Sequence, residues 1–219
     1  MIATQIPLDP AKTPTAIEER SFAIIESELP PPRRYTGKLW EVARRCIHAS
    51  GDLGLISDLE LSLEALNSGV EALISGCTIY TDTKMCAAGI TACRAKSLNV
   101  QVKSILDDQD VPLVAAKKNI TRSRAAIELL AEHLAGQIIA IGNAPTALLA
   151  LLDILAQGAP KPALIVGMPV GFVNAAQAKD LLHQSIYPHF KLLGRKGGSA
   201  LAAAAINALA LIAVKSRKD

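Results

Sequence analysis

The sequence predicts one α/β domain: a predominantly parallel sheet with helices on both faces, preceded by a helical N-terminal region. Three observations predict it. Short apolar runs without polar alternation, at residues 138–141 and 163–166, suit strands buried on both faces. Segments of helical period alternate with such runs through the second half of the chain, and that alternation is the pattern of a covered parallel sheet. The 219 residues are half hydrophobic but only 3 % aromatic, so Ala, Leu, Ile and Val must build the core. This length fits one domain with at most a small appendage.

Residues 1–15 contain Pro7, Pro10 and Pro14 and no apolar period. They read as an extended arm, with residues 16–219 forming the domain. Residues 16–29 place Ile17, Ala23 and Ile24 among acids and predict a first helix, stopped by Pro30, Pro31 and Pro32. A second helix is expected over residues 39–47, ending in a turn at Gly51. Residues 63–74 predict a third, with Ser62 as N-cap. The rhythm then begins: strand 78–81, helix 87–96, strand 100–106, helix 122–134, strand 138–141. A helix over 144–157 capped by Asn143 follows, then strand 163–166 and helix 175–183, where Asn174 and Gln177 resemble a capping box. Strand 190–193 and an Ala-rich helix over 200–214 close the chain.

Composition excludes several classes. The net charge is only +3 and no long Lys/Arg run occurs, which argues against nucleic acid as a partner. No basic stretch followed by an apolar one opens the chain, so no secretory signal is expected. Residues 200–214 fall short of the ~20 apolar residues a membrane span needs. Cys46, Cys77, Cys86 and Cys93 show no C-x-x-C spacing and read as buried free thiols of a reducing cytoplasm. Asp107, Asp108 and Asp110 read as a solvated loop rather than a metal site, and no metal is expected.

Ligands of open parallel sheets bind beyond the carboxyl ends of the strands. The segments there are Asp82-Thr83-Lys84, Asp107-Asp108, Gly142-Asn143-Ala144-Pro145-Thr146, Gly167-Met168-Pro169-Val170-Gly171-Phe172 and Gly194-Arg195-Lys196-Gly197-Gly198-Ser199. A loop before the 122–134 helix adds Lys117, Lys118, Thr121 and Ser123. Each segment taken singly is also what caps and turns require. Together they suit a ligand with several carboxylates or phosphates, held by helix-start N–H groups and by arginine. Neither a Walker sequence nor an early Gly-x-Gly-x-x-Gly is present, which weighs against a nucleotide- or S-adenosylmethionine-binding transferase.

His133 and His183 fall inside expected amphipathic helices, and His189 at a strand start. His48 differs. It stands at an expected helix-to-turn junction among small residues, where an imidazole can project into a cavity and move protons near neutral pH.

Several stretches are more specific than any of these patterns: residues 19–25 (Glu-Arg-Ser-Phe-Ala-Ile-Ile), 47–52 around His48, Thr121-Arg122-Ser123, 140–148 with Gly-Asn-Ala-Pro-Thr-Ala, 161–163, 167–173 with Met-Pro-Val-Gly-Phe-Val, and 194–200. In this order, from about residue 16 to 210, the chain resembles the precorrin-8X methylmutase family, known as cobalt-precorrin-8 methylmutases in the anaerobic pathway. The resemblance implies a cofactor-free isomerase of cobalamin biosynthesis. A methyl group would move from C11 to C12 of a corrin-precursor ring in a 1,5-sigmatropic shift, giving hydrogenobyrinic acid or its cobalt form. It implies His48 as the catalytic proton donor or acceptor. It also implies Ser21, Arg122 and Ser123 as substrate contacts, with Asn143, Ala144 and Gly171. From the strand-end loops Thr83, Arg195, Lys196 and Ser199 are expected to join them. A homodimer with active sites near the interface is implied, as is hand-over of product to the next enzyme. A non-catalytic corrinoid carrier is the alternative. Cys46, Lys84 and Cys86 depart from the family's commoner residues.

Overall fold

The computed structural model describes residue 10 and residues 12–217. Most of the expected N-terminal arm lies outside the described residues. Its last two members belong to a helix instead, because α1 (Pro14–Glu28) starts at Pro14. Thr13 Oγ1 accepts the Ala16 N–H at 3.2 Å, and a proline at the first helical position sacrifices no bond.

The remaining elements are α2 (Gly37–Ser50), α3 (Leu55–Asp58), β1 (Leu59–Glu60), α4 (Leu63–Ile74), β2 (Thr78–Thr81), α5 (Lys84–Gly89), α6 (Ala92–Ser97), β3 (Gln101–Ser104), α7 (Val111–Lys118) and α8 (Arg122–Leu129). The second half continues with β4 (Ile138–Ile141), α9 (Pro145–Ala156), β5 (Leu164–Gly167), α10 (Ala175–His183), β6 (His189–Leu192) and α11 (Ser199–Ser216). The sheet runs β1-β6-β5-β4-β2-β3, with β1 antiparallel and every other pairing parallel.

Strand alternation divides the core in two. Ile138, Ala140, Leu164 and Val166 face the layer of α2, α4, α5, α6 and α11. Ile139, Ile141 and Ile165 face the layer of α7, α8, α9 and α10. This is why the strands read as unbroken apolar runs: both faces are buried. Helix α11 has 18 residues and a mean hydropathy of 1.7, enough by length and composition to cross a membrane. Here it packs against α2, α4 and the sheet with twelve residues buried, seven of them Ala. Small side chains allow close approach: a Cβ on Gly89 would stand 2.8 Å from Ala203 Cβ.

Several expectations are corrected. The helix expected over 87–96 is two helices. The Asn207 carboxamide interrupts it, accepting the Thr91 N–H at 2.8 Å and donating to the Gly89 carbonyl at 2.8 Å. The helix expected over 122–134 ends at Leu129, and a 3-10 turn at Ala131–His133 follows, so His133 is not on an amphipathic helix. The loop expected before it is largely helix α7, with Pro112 in its first turn and Asn119 left-handed (φ 52°) just past its end. Strand β3 stops at Ser104 and passes into a 3-10 turn. The short α3 and β1 lack any period long enough to read. Asn174 adopts φ 62° and makes no side-chain cap bond, so the expected capping box is absent. Cys46, Cys77 and Cys86 are buried, and burial pushes each thiol up to about 12, but Cys93 is exposed.

Candidate active site

Because β2, β4, β5 and β6 are parallel, the loops that follow them share one edge of the sheet. Asp82 directly continues β2, its N–H donating to the Ala140 carbonyl at 3.0 Å. Its carboxylate is fully buried and accepts three backbone N–H groups: Gly142 at 3.1 Å, Asn143 at 2.7 Å and Ala144 at 2.7 Å. Burial pushes this carboxyl above its usual range, and the three bonds oppose that push. The N-cap of α9 is Ala144, and no side-chain cap bond is made there. Asn143 is therefore not the cap the sequence led us to expect. The backbone leading into α9 is held by a carboxylate that lies 60 residues earlier in the chain.

Thr83 follows Asp82 and does two things. Its hydroxyl accepts the Cys86 N–H at 3.2 Å, capping α5, and lies 3.1 Å from Ser199 Oγ at the start of α11. The loop after β5 meets the loop after β6 through Gly171 N–H to Arg195 carbonyl at 3.2 Å and Gly198 N–H to Met168 carbonyl at 2.9 Å. Gly197 has to be glycine here, since a Cβ would lie 2.2 Å from the Met168 oxygen. Phe172 is exposed beneath the Arg195 guanidinium, 5.2 Å from the ring centroid. Thr83, Asn143, Ala144, Gly171, Arg195, Lys196 and Ser199 thus converge on one interlocked edge.

His48 lies on α2, whose following turn joins this edge through Asp52. The helix spans Gly37–Ser50 rather than 39–47, so His48 lies in its last turn rather than just past its end. Gly51, left-handed at φ 65°, ends it. His48 is exposed and stacks edge-on against Phe22 of α1, centroids 5.5 Å apart. Arg44 and Arg45 stand over the same Phe22 ring at 4.2 and 4.9 Å, and they pair with Glu26 and Glu18 respectively. The Arg45 hydrogen bond holds the Glu18 carboxyl below its usual range, with smaller help from Arg94 and His48. Ser21, next to Phe22, donates its hydroxyl to the Ile17 carbonyl at 2.8 Å. Just past the helix, Asp52 accepts from Lys196 Nζ at 3.2 Å, which joins the end of α2 to the β6–α11 loop.

Arg122 and Ser123 open α8. Thr121 ties that opening to Thr146 in the first turn of α9 at 3.1 Å. Arg122 is exposed and forms no ion pair among the described residues. The other cations are more committed than a free rim would be. Lys196 pairs with Asp58 at 2.9 Å as well as Asp52, and Lys84 pairs with Asp107 at 2.7 Å. A cleft of about 820 Å³ opens beside β3, between Lys84, Ser104, Leu129 and His133. None of the expected contacts lines it; Thr83 adjoins its Lys84 wall, and Arg122 and Ser123 begin the helix that forms another. Seven of the ten expected contacts gather at the interlocked edge, and none lines this cleft.

Two residues of the edge were given no role by the sequence. The first is Asp82, named in the segment after β2 but carrying only the signal of an acid directly after a β-branched run. The second is Lys179, fully buried, whose Nζ donates to the Lys196 carbonyl at 2.6 Å. Burial, then Lys191, bring its pKa down to about 8. Its signal was a charge on the apolar stripe of Ala175, Ala178 and Leu182.

Comparison with known proteins now decides the family. A family model described as Precorrin-8X methylmutase matches residues 16–212. The chain belongs to the precorrin-8X methylmutase family. A Sinorhizobium precorrin-8X methylmutase is 46 % identical over 197 residues, covering 89 % of this chain and 93 % of the relative. A Leptospira interrogans cobalt-precorrin-8 methylmutase is 39 % identical over 207 residues, covering 91 % and 94 %. The crystal structure of the Thermus thermophilus precorrin-8X methylmutase superposes with a TM-score of 0.84 at 38 % identity, covering 92 % of this chain and 98 % of that one. Methylmutases are isomerases that transfer a methyl group within one molecule, and the mostly parallel α/β fold is the fold of this family.

Proposed function

We propose that the chain converts precorrin-8X, or its cobalt form, by moving the methyl group from C11 to C12, yielding hydrogenobyrinic acid or its cobalt counterpart. The observation that carries this reading is the meeting of the His48 helix, through Asp52 and Lys196, with the interlocked strand-end loops of a methylmutase fold. The His48 imidazole donates a proton to the conjugated ring. The electron-poor ring then shifts its methyl group, and the proton returns to the imidazole as conjugation is restored. The ring itself reorganises its bonds, so the reaction calls for no redox cofactor. Arg122, Arg195 and Lys196 receive the ring's carboxylates. Ser21, Thr83, Ser123, Asn143, Ala144, Gly171 and Ser199 hold its pucker so that C11 and C12 can exchange the methyl. Two copies of the chain pair with their sites near the interface, in the cytoplasm, and product passes to the next enzyme of the route.

The test is incubation with precorrin-8X while the absorption spectrum is followed. His48→Ala is expected to lose turnover by at least ~10²-fold, the lower end of what a positioned general acid contributes. Its thermal unfolding should stay near that of the wild type, because the imidazole is exposed. Near wild-type turnover in His48→Ala would remove His48 from the mechanism. Binding of the ring by the wild type with no spectral conversion would mark a carrier instead.

A further inference from the structure

We infer that Asp82 is a positioning residue of this site, locking the start of α9 so that it offers substrate the Asn143 side chain rather than backbone N–H groups. The inference rests on the proposed reaction for its catalytic consequence and on geometry for its cause. A helix start preceded by Gly-Asn-Ala is a concave set of N–H groups suited to anions. Here the set is already full. One Asp82 oxygen takes the Gly142 N–H, and the other takes those of Asn143 and Ala144. The carboxylate is fully buried, so it touches no substrate and acts only through what it holds. A carboxylate arriving with the ring finds these donors occupied and must go to guanidinium groups such as Arg122 and Arg195.

The same dipeptide reaches further. Thr83, bound to Asp82 by one peptide link, caps α5 and meets Ser199. Asp82 and Thr83 therefore set the spacing of three loops: after β2, after β4 and after β6. Gly142 and Ser199 are so close that a Cβ on Gly142 would lie 2.6 Å from Ser199 Cα. A loosened α9 start cannot move without moving the start of α11.

The experiment compares the wild type with Asp82→Asn and Asp82→Ala, combining amide hydrogen exchange of the free protein with kinetics on precorrin-8X. In the wild type the Asn143 and Ala144 amides should exchange slowly, and both variants should speed them about tenfold or more, the loss of one charge-assisted bond. Asp82→Asn keeps one acceptor oxygen. Its KM should rise about tenfold while kcat stays within about threefold, because His48 is untouched. Reduced thermal stability with KM unchanged would mean a merely structural carboxylate and would overturn the inference. Fast exchange of these amides in the wild type would overturn it as well, whether or not either variant folds. If the wild type converts no precorrin-8X, the proposed reaction fails, and the exchange data then decide by themselves whether Asp82 holds the loop.

Discussion

Helices α9 and α11 start side by side at the same edge of the sheet, after loops of similar composition, yet the loops that lead into them are held in opposite ways. The α9 start closes on a buried carboxylate from a neighbouring strand end. The α11 start follows Gly198 at φ 135° and has no side-chain cap bond. Arg195 and Lys196 precede it. In the first case the chain itself provides the anion, which rigidifies the loop and withdraws its donors. In the second, an 18-residue helix opens with its positive end beside cations. A loop rich in glycine and small polar residues can thus be a ligand site or a joint, and the occupant decides which.

The harshest way to break this pairing is to separate the two starts. Gly142→Ala drives a methyl group to 2.6 Å from Ser199 Cα and 2.8 Å from its nitrogen. Both are backbone atoms, so relief requires moving a helix. A loss of about 3 kcal/mol or more in denaturant unfolding is expected, at the upper end of overpacking costs. A loss under ~1 kcal/mol would show that the two loops yield independently.

A milder probe acts on the α11 side through Lys179, which holds the Lys196 carbonyl. Its pKa of about 8 lies below the usual 10.5 of a lysine. Between those two values the unfolded chain binds more protons than the folded one. This residue therefore makes stability rise with pH from about 8 to 10.5, by at most ~1.4 kcal/mol per pH unit. Lys179→Met should remove that rise from a series of denaturant melts across the alkaline range. An unchanged slope would show that the ammonium stays fully charged in the fold.

The gentlest test concerns Asn143. Were it the cap of α9, Asn143→Ala would cost about 0.5–2 kcal/mol. Since Asp82 holds the backbone leading into α9 and the Asn143 side chain makes no cap bond, the stability change should stay under ~0.5 kcal/mol, while affinity for the ring falls. A full kcal/mol lost in the melt would return the capping role to Asn143.

Legibility followed the range of the interactions. Strand β4 was readable to the residue because burial on both faces leaves an unbroken apolar run, and β2 because its short β-branched run is equally local. Helix α4 and its Ser62 cap were readable for the same reason, since the cap bond to the Ala65 N–H spans only three residues. The break between α5 and α6 was not, because its cause is Asn207, 116 residues away along the chain from Thr91. The cationic rim was half readable. Arg195 and Lys196 were read into the loop after β6, where they stand, but the pairing of Lys196 with Asp52 and Asp58 depends on where α2 and α3 end.

The layered architecture, the family, and which loops follow the parallel strands could all be read from the chain alone. Periodicity and local caps are properties of short segments, and a motif is copied whole. The folded packing was needed to show which N–H groups remain for a ligand, which cations are already paired, and how the turn after α2 joins the β6–α11 loop. Those outcomes are set by groups far apart in the chain, competing for the same few bonds once water has been excluded from between them.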